Sequence, residues 1–336
     1  MALRVAINGF GRIGRLCLRA MIENKRDDIN VVAINDLGPV DSNAHLLKYD
    51  SAHGILNADV SSSADSMTID GKVIKFTSES DPKNLPWAEL DVDIVFECTG
   101  KFKERDQAQA HLDAGAKKVL ISAPGKDADL TVVYGINHDL LSKDHKIVSN
   151  ASCTTNCLAP VADVLHKLVG IKKGYMTTVH SYTGDQNTVD ALHRDMRRAR
   201  AGAVSMIPTT TGAARATGLV IPELAGKLDG CAIRVPTPNV SLIDLTFDAG
   251  RDTTVEEINT AIVEAANGRL KGVLGAYDVQ LVSIDYNHNP DSSAFDLTQT
   301  TVMDGNFVRV LSWYDNEWGF SNRMSDTAIA MAQAGF

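Results

Sequence analysis

Residues 149–160 read SNASCTTNCLAP, placing Cys153 and Cys157 four apart among threonines and asparagines. Two thiols so spaced admit a nucleophile, a metal clip, a disulfide or core filling. Zinc calls for a second Cys/His pair at short spacing, whereas His53, His111, His138, His145 and His166 stand singly. The other cysteines are Cys17, Cys98 and Cys231, giving an odd, scattered total of five that reads as reduced thiols. After Cys153, TTNCLAPVADVLHKLVG starts like a helix, with Leu158, Val161, Ala162, Leu165 and Leu168 at helical spacing. A thiol at a helix N-terminus is expected to have its thiolate stabilised and its pKa lowered. Cys153 is therefore the candidate nucleophile. Cys157, where the apolar stripe begins, reads as a small core residue.

A nucleophilic thiol wants a base. The run GYMTTVHSYTGDQ (174–186) is strand-like and carries His180 before a polar turn, where it can form a thiolate–imidazolium pair with Cys153. Three further stretches suit anions. HRDMRRARAG (193–202) packs four arginines into seven positions, a pattern that on its own reads as a solvated helical face. PTTTGAARA (208–216) sets hydroxyls and a glycine before a helix, a natural anion nest. CAIRVPTPNVSLIDLTF places Arg234 in an alternating stretch, where a half-buried charge requires a partner. Together they point to phosphorylated ligands.

These groups need a frame, and the first half supplies one. LRVAING (3–9) is a β-branched run ending in glycine, GFGRIG (9–14) opens an amphipathic stretch, and NVVAIND closes on Asp36. Strand, G-x-G-x-x-G, helix, strand and acid within one βαβ span form a dinucleotide fingerprint. Gly9 permits the tight turn, Gly11 lets a pyrophosphate approach the backbone, and Gly14 lets helix pack on sheet. The helix N-terminus offers free N–H groups to the phosphates. Asp36 accepts from ribose hydroxyls and repels a 2′-phosphate, favouring NAD over NADP. VDIVFECTG (92–100) and KKVLISAPG (117–125) read as further parallel strands whose carboxyl ends offer Thr99, Gly100, Ser122 and Ala123 as cofactor contacts. In SWYDNEWGF, Asn316 sits in a turn within reach of a nicotinamide carboxamide.

The chain has 336 residues, 44% hydrophobic and 22% charged, enough for two globular domains. Its net charge of -9 argues against nucleic acid or an anionic membrane as partner. No apolar run reaches membrane-spanning length. MALRVAING lacks the apolar region of about 7–15 residues that a secretory signal needs, so a cytoplasmic location is expected. No metal site is expected.

INGFGRIGR, SNASCTTNCLAP, HSYTGDQ, RRARA, PTTTGAA, RVPTPNVS and SWYDNEWGFSNR, in this order along essentially the whole chain, resemble the phosphorylating glyceraldehyde-3-phosphate dehydrogenase family, type I. The resemblance implies an α/β chain: a Rossmann-type, doubly wound parallel-sheet domain over 1–151, completed by the C-terminal helix 317–336, and an α+β catalytic domain with a mostly antiparallel sheet over 152–316. It implies glycolytic and gluconeogenic, NAD-dependent oxidative phosphorylation of D-glyceraldehyde 3-phosphate to 1,3-bisphosphoglycerate, through a hemithioacetal and a thioester on Cys153. His180 then corresponds to the base. Thr183 and Arg234 match the site for the substrate's phosphate, and Ser152, Thr154, Arg198, Thr211 and Gly212 that for inorganic phosphate. Arg12, Ile13, Asp36, Ser122 and Asn316 match NAD contacts. A homotetramer is implied, with the 184–204 segment crossing to a neighbouring subunit.

Two positions depart from the family pattern. Leu192 stands where many NAD-specific members carry proline, and Ser80 where many carry arginine, so cofactor discrimination rests mainly on Asp36. The nearest alternative is erythrose-4-phosphate dehydrogenase, which shares AHLLKYDS-like and LPW-like stretches but typically lacks the SYTGDQ and TTTGAA patterns that are intact here.

Overall fold

The computed structural model describes residues 2–336. They form two compact units. The first runs up to Val132, resumes over His138–Ser152 and includes Ser321–Phe336; the second holds Val133–Asn137 and Cys153–Phe320. Relative to the boundaries read from sequence, residues 133–137 and 317–320 fall in the second unit, and Ser152 falls in the first. Among the described residues no helix is long and apolar enough to cross a membrane.

The first unit contains β1 (Leu3–Asn8), α1 (Arg12–Glu23), β2 (Ile29–Asn35), α2 (Val40–Lys48), the hairpin β3 (Tyr49–Asp50) and β4 (Gly54–Ile55), β5 (Val60–Ser62), β6 (Ser66–Ile69) and β7 (Lys72–Thr77). There follow β8 (Ile94–Glu97), α3 (Arg105–Asp113), β9 (Lys118–Ile121), β10 (Leu130–Thr131) and β11 (Ile147–Ser149). Nine strands make one sheet in the order β10-β11-β9-β8-β1-β2-β7-β6-β5. Pairing is parallel from β10 to β7, and β6 and β5 add antiparallel. Helices on both faces of a parallel sheet bury its central strands on both sides, so continuous apolar runs are required there. β1 meets this with Val5, Ala6 and Ile7, and β8 with Ile94, Val95 and Phe96, all without solvent exposure.

The second unit contains α4 (Cys153–Val169), β12 (Ile171–Ser181), β13 (Ile207–Thr210), α5 (Ala213–Val220), β14 (Leu228–Val235), β15 (Ser241–Ala249), α6 (Val255–Asn267), β16 (Leu274–Tyr277), β17 (Ser293–Asp296), β18 (Thr301–Met303) and β19 (Phe307–Tyr314). The closing helix α7 (Trp318–Gln333) starts here, and from Ser321 it belongs to the first unit. The sheet order is β13-β14-β12-β15-β19-β17-β16, with β18 beside β19. Pairing is antiparallel except at β12–β14 and β16–β17. Along β15 Ser241, Ile243, Leu245, Phe247 and Ala249 are buried in strict alternation, the period of a sheet with one covered face. α4 covers that face, packing on β12, β15, β17 and β19.

The arginine-rich stretch is not the helical face its charge pattern suggested. Residues 182–206 run as turns with one short 3₁₀ turn at Gly202–Val204. Side-chain carboxylates have captured the backbone donors that a helix would use: Ala201 N–H donates to Asp190 Oδ1 (3.0 Å) and Arg197 N–H to Asp195 Oδ1 (2.9 Å).

Candidate active site

In the first unit the chain leaves β1 for β2 on one side and later returns to pair β8 on the other, so a topological switch point lies between β1 and β8. A cleft there is lined by Gly9, Gly11, Asp36, Ser80 and Thr99, among others. Gly9 has φ +89°, and a Cβ on it would stand 2.6 Å from Thr99 N. At Gly14 a Cβ would stand 2.1 Å from Gly9 O, so neither position accepts a side chain. Gly11, the N-cap of α1, faces open space, and the cleft beside it can take a pyrophosphate at a helix N-terminus. These residues fit a dinucleotide.

The remaining predicted cofactor contacts surround this cleft or lie apart from it. Arg12 and Ile13 begin α1, and Arg12 pairs with Asp50. Burial would raise the Asp50 carboxyl, but Arg12 and the His53 and Ala52 amides overcome it and hold the pKa at about 2. Asp36 accepts from Phe10 N–H and Gly38 N–H, both at 2.8 Å, which fixes its carboxylate at the end of β2. Thr99 is tied to the Glu97 carboxylate through its N–H (2.8 Å) and its hydroxyl, and Gly100 follows with φ +70°. Ser122 follows β9, its N–H donating to Glu97 O (3.0 Å). Asn316 belongs to the second unit, where its Oδ1 accepts from Ser181 Oγ and Ser241 Oγ, both at 2.8 Å.

In the second unit Cys153 is the first residue of α4, two positions after Ala151, whose φ of +57° is a costly backbone state for a residue with a Cβ. Its Sγ lies 3.6 Å from His180 Nε2. His180 is the last residue but one of β12, and its register partner on the parallel strand β14 is Arg234, so the two side chains share one sheet face. His180 Nδ1 lies 2.7 Å from Ser181 O and 2.8 Å from Arg234 Nη1. Burial first, and the Arg234 charge second, push the imidazole pKa down to about 3. The expectation of a lowered Cys153 pKa needs correcting: burial pushes the thiol up, while Arg234 and the Thr154 hydroxyl and amide oppose that only in part. The thiol proton must therefore go to a neighbour.

Around this pair Thr183 donates to Gln186 Oε1 from both its N–H (3.0 Å) and its hydroxyl (3.3 Å). Arg198 donates to Asp185 (2.5 Å), Thr209 Oγ1 (3.0 Å) and Thr210 O (3.4 Å). Gly212 caps α5, and Thr211 Oγ1 accepts from Ala213 N–H (3.2 Å). Arg234 differs from Arg198: it enters no ion pair among the described residues and its buried Nε has no acceptor. Thr154 bonds the Tyr314 hydroxyl (2.8 Å), and Ser152, the residue before Cys153, ends the His138–Ser152 stretch of the first unit. Sequence reasoning missed Tyr314, which stands edge-on to His180 at 5.9 Å and also bonds Thr178 (3.0 Å). It missed Gln186 and the Ser181 carbonyl as well. Their roles follow from strand register and turn closure, neither of which leaves a spacing signal.

Comparison with known proteins agrees with both halves. Residues 3–105 match the family described as glyceraldehyde 3-phosphate dehydrogenase, NAD binding domain, and residues 152–316 match the C-terminal domain of the same family. The chain is 64% identical to the glyceraldehyde-3-phosphate dehydrogenase of Xanthobacter flavus, with all of both chains covered. It is 62% identical to that of Cereibacter sphaeroides over 99% of each, and 56% identical to that of Geobacillus stearothermophilus over 100% of each. By motif order, domain match and identity over its whole length, the chain belongs to the glyceraldehyde-3-phosphate dehydrogenase family.

Proposed function

We propose that the protein carries out NAD-dependent oxidative phosphorylation of D-glyceraldehyde 3-phosphate to 1,3-bisphosphoglycerate. The observation that carries this reading is the 3.6 Å approach of Cys153 Sγ to His180 Nε2 beside the carboxylate-free Arg234. Cys153 adds to the aldehyde carbon: a C–S bond forms while the S–H proton passes by way of His180 to the carbonyl oxygen, giving a tetrahedral hemithioacetal. His180 takes the proton of its hydroxyl. Gly9, Gly11, Arg12, Ile13, Gly14, Asp36, Thr99, Gly100, Ser122 and Asn316 would hold NAD, which would supply the hydride acceptor needed for oxidation of the adduct to a thioester. A phosphate oxygen then attacks the thioester carbon, the C–S bond breaks, and the thiolate leaves. Sulfur suits both halves: it is a strong nucleophile as thiolate, and its thioester is more reactive than an oxygen ester.

Arg234 and Thr183 bind the substrate's phosphate in this reading, and Ser152, Thr154, Arg198, Thr211 and Gly212 bind the inorganic one. Arg198 comes with the Asp185 partner that tempers its charge, and suits a co-substrate that must turn over. The chain works as a homotetramer in the cytoplasm. Val189, Leu192, Met196, Val204 and Met206 crowd large exposed apolar side chains into one segment, which favours contact with another copy. Light scattering should return four chains' mass.

The deciding assay follows NADH absorbance with glyceraldehyde 3-phosphate and with erythrose 4-phosphate, each with and without inorganic phosphate. The reading expects the triose phosphate to be preferred and sustained turnover to require phosphate. Preference for erythrose 4-phosphate without a phosphate requirement would replace it with the sister activity.

A further inference from the structure

His180 Nδ1 has two suitors that cannot both be satisfied. The ring nitrogen lies 2.7 Å from Ser181 O, an acceptor, and 2.8 Å from Arg234 Nη1, a donor; Nη1 itself lies 2.9 Å from Ser181 O. In a neutral imidazole one nitrogen carries the proton and the other the lone pair. If Arg234 donates to Nδ1, the proton sits on Nε2, facing Cys153 Sγ at 3.6 Å, and no lone pair there can receive a proton. If Nδ1–H donates to Ser181 O, the Nε2 lone pair faces the sulfur and the reacting atoms. One tautomer is a base toward the substrate and the other is not.

What decides between them is whether the guanidinium has a better acceptor. Arg234 has no carboxylate partner among the described residues, its Nε is buried without an acceptor, and burial lowers its pKa. Such a cation is under-satisfied. A phosphate ester offers a planar guanidinium two charge-assisted bonds, a far stronger partner than one imidazole nitrogen. Resting on the reading above, we propose that Arg234 is a positioning residue that couples the substrate's phosphate to the tautomer of His180: the phosphate draws Nη1 off Nδ1, the ring gives up its Nε2 proton to water and takes one from water at Nδ1, the new Nδ1–H donates to Ser181 O, and Nε2 becomes the base.

The charges around the ring act in the same direction. His180 faces Cys153 from α4, Arg234 from β14, Tyr314 from β19 and Arg198 from the 182–206 segment, with Asp185 acting on both arginines. Burial and the two arginines hold the imidazole neutral, and a phosphate dianion at Arg234 relieves the nearer of those charges. Cys153 feels the opposite: Arg234 pulls its thiol pKa down, so relieving that charge works against the thiolate. The step that isolates the base is therefore hydride transfer, which precedes attack by inorganic phosphate.

The experiment measures the pre-steady-state NADH burst of the NAD-loaded enzyme with saturating unphosphorylated glyceraldehyde, with and without phosphite dianion. Phosphite should raise the wild-type burst rate about tenfold or more, a part of what a general base contributes. Arg234→Leu should show a burst with glyceraldehyde alone faster than wild type, with no response to phosphite; a residue that only bound phosphate would leave that basal rate unchanged. In ¹⁵N spectra of labelled histidine, assigned by difference from His180→Asn, phosphite should move the wild-type Nδ1 from lone-pair to N–H character. This last readout needs no Arg234 variant to fold. The proposal falls if phosphite leaves the wild-type burst or the Nδ1 signal unmoved, or if folded, NAD-binding Arg234→Leu is no faster than wild type on glyceraldehyde. A wild-type enzyme without a burst on glyceraldehyde 3-phosphate itself would instead overturn the reading beneath.

Discussion

Each compact unit buries one histidine in a polar cluster, and the two clusters are built to opposite rules. In the first unit His111 Nδ1 accepts from Trp87 Nε1 (3.1 Å), which leaves Nε2–H to donate to Glu97 Oε2 (3.0 Å). Glu97 also receives Asn8 Nδ2 (2.6 Å), Thr99 N–H (2.8 Å) and the Thr99 hydroxyl. Asn8 in turn accepts from Asn35 Nδ2 (2.8 Å). Trp87 fixes the imidazole tautomer and the Glu97 carboxylate accepts from every side, so the cluster favours one arrangement of its protons. In the second unit His180 has two claimants at Nδ1, a sulfur at Nε2, and beside it an arginine with an orphaned Nε. A fully satisfied buried network specifies geometry; one with bonds left over can change partners, and chemistry needs such a change.

The sharpest way to break the contrast is to remove the sulfur. Cys153→Ser should lose activity by on the order of 10⁴-fold or more, as nucleophile deletions do, while NAD titration by fluorescence is unchanged. Turnover near wild type would show that the reactive cluster is elsewhere. His180→Asn should lower the burst rate by about 10²–10⁴-fold. It should also change acid stability. The folded state holds this imidazole neutral, with a pKa near 3, whereas in the unfolded chain it is about 6.5. The unfolded chain thus takes up the proton first, and His180 withdraws stability as pH falls from about 6.5 towards 3. Denaturant midpoints at about pH 7.5 and pH 4.5 should fall less in the variant than in wild type, and an equal fall would refute the buried neutral ring.

The satisfied cluster should answer differently. Glu97→Gln replaces an acceptor-only carboxylate with a group that carries its own N–H donors, in a place where all the neighbours already donate. Leaving buried donors without their acceptor costs about 1–3 kcal/mol, read as a lower denaturant midpoint. Thr99 loses its anchor, so NAD affinity should weaken, while kcat at saturating NAD stays close to wild type. A drop in kcat with unchanged NAD affinity would mean that this network serves the reaction and not the cofactor.

The contrast was only partly legible in the sequence. The dinucleotide half was readable because its constraints are local: Gly9 and Gly14 leave no room for a Cβ, and a glycine pattern records that directly. Cys153 and His180 were readable because each sits at an element end, where periodicity stops. The satisfied cluster was not, since Asn8, Glu97 and His111 come from β1, β8 and α3 and meet only through sheet order. Glu97, the acid ending the apolar run IVFE, was its one visible trace. The arginine-rich segment misled because charge spacing is blind to Asp190 and Asp195, which divert the backbone donors. The Cys153 thiol misled because a helix terminus is a local effect and burial is a global one.

The smallest expected effect lies one helical turn from the largest. Cys157 Sγ contacts Ser293 Oγ (3.4 Å) and the carbonyls of Ser312 and Trp313 (3.9 Å each), and burial pushes its pKa up to about 12. It is a core atom by every measure that sets Cys153 apart: no imidazole faces it and no cation relieves its burial. Cys157→Ala removes little, because Ser293 and Ser312 still bond each other at 2.8 Å and no polar group is stranded. The variant should cost about 1 kcal/mol of stability, with kcat and the rate of inactivation by iodoacetamide unchanged. If its alkylation kinetics shifted, the second sulfur would be sharing a proton with the first, and α4 would carry a dithiol where the contacts describe a nucleophile and a spacer.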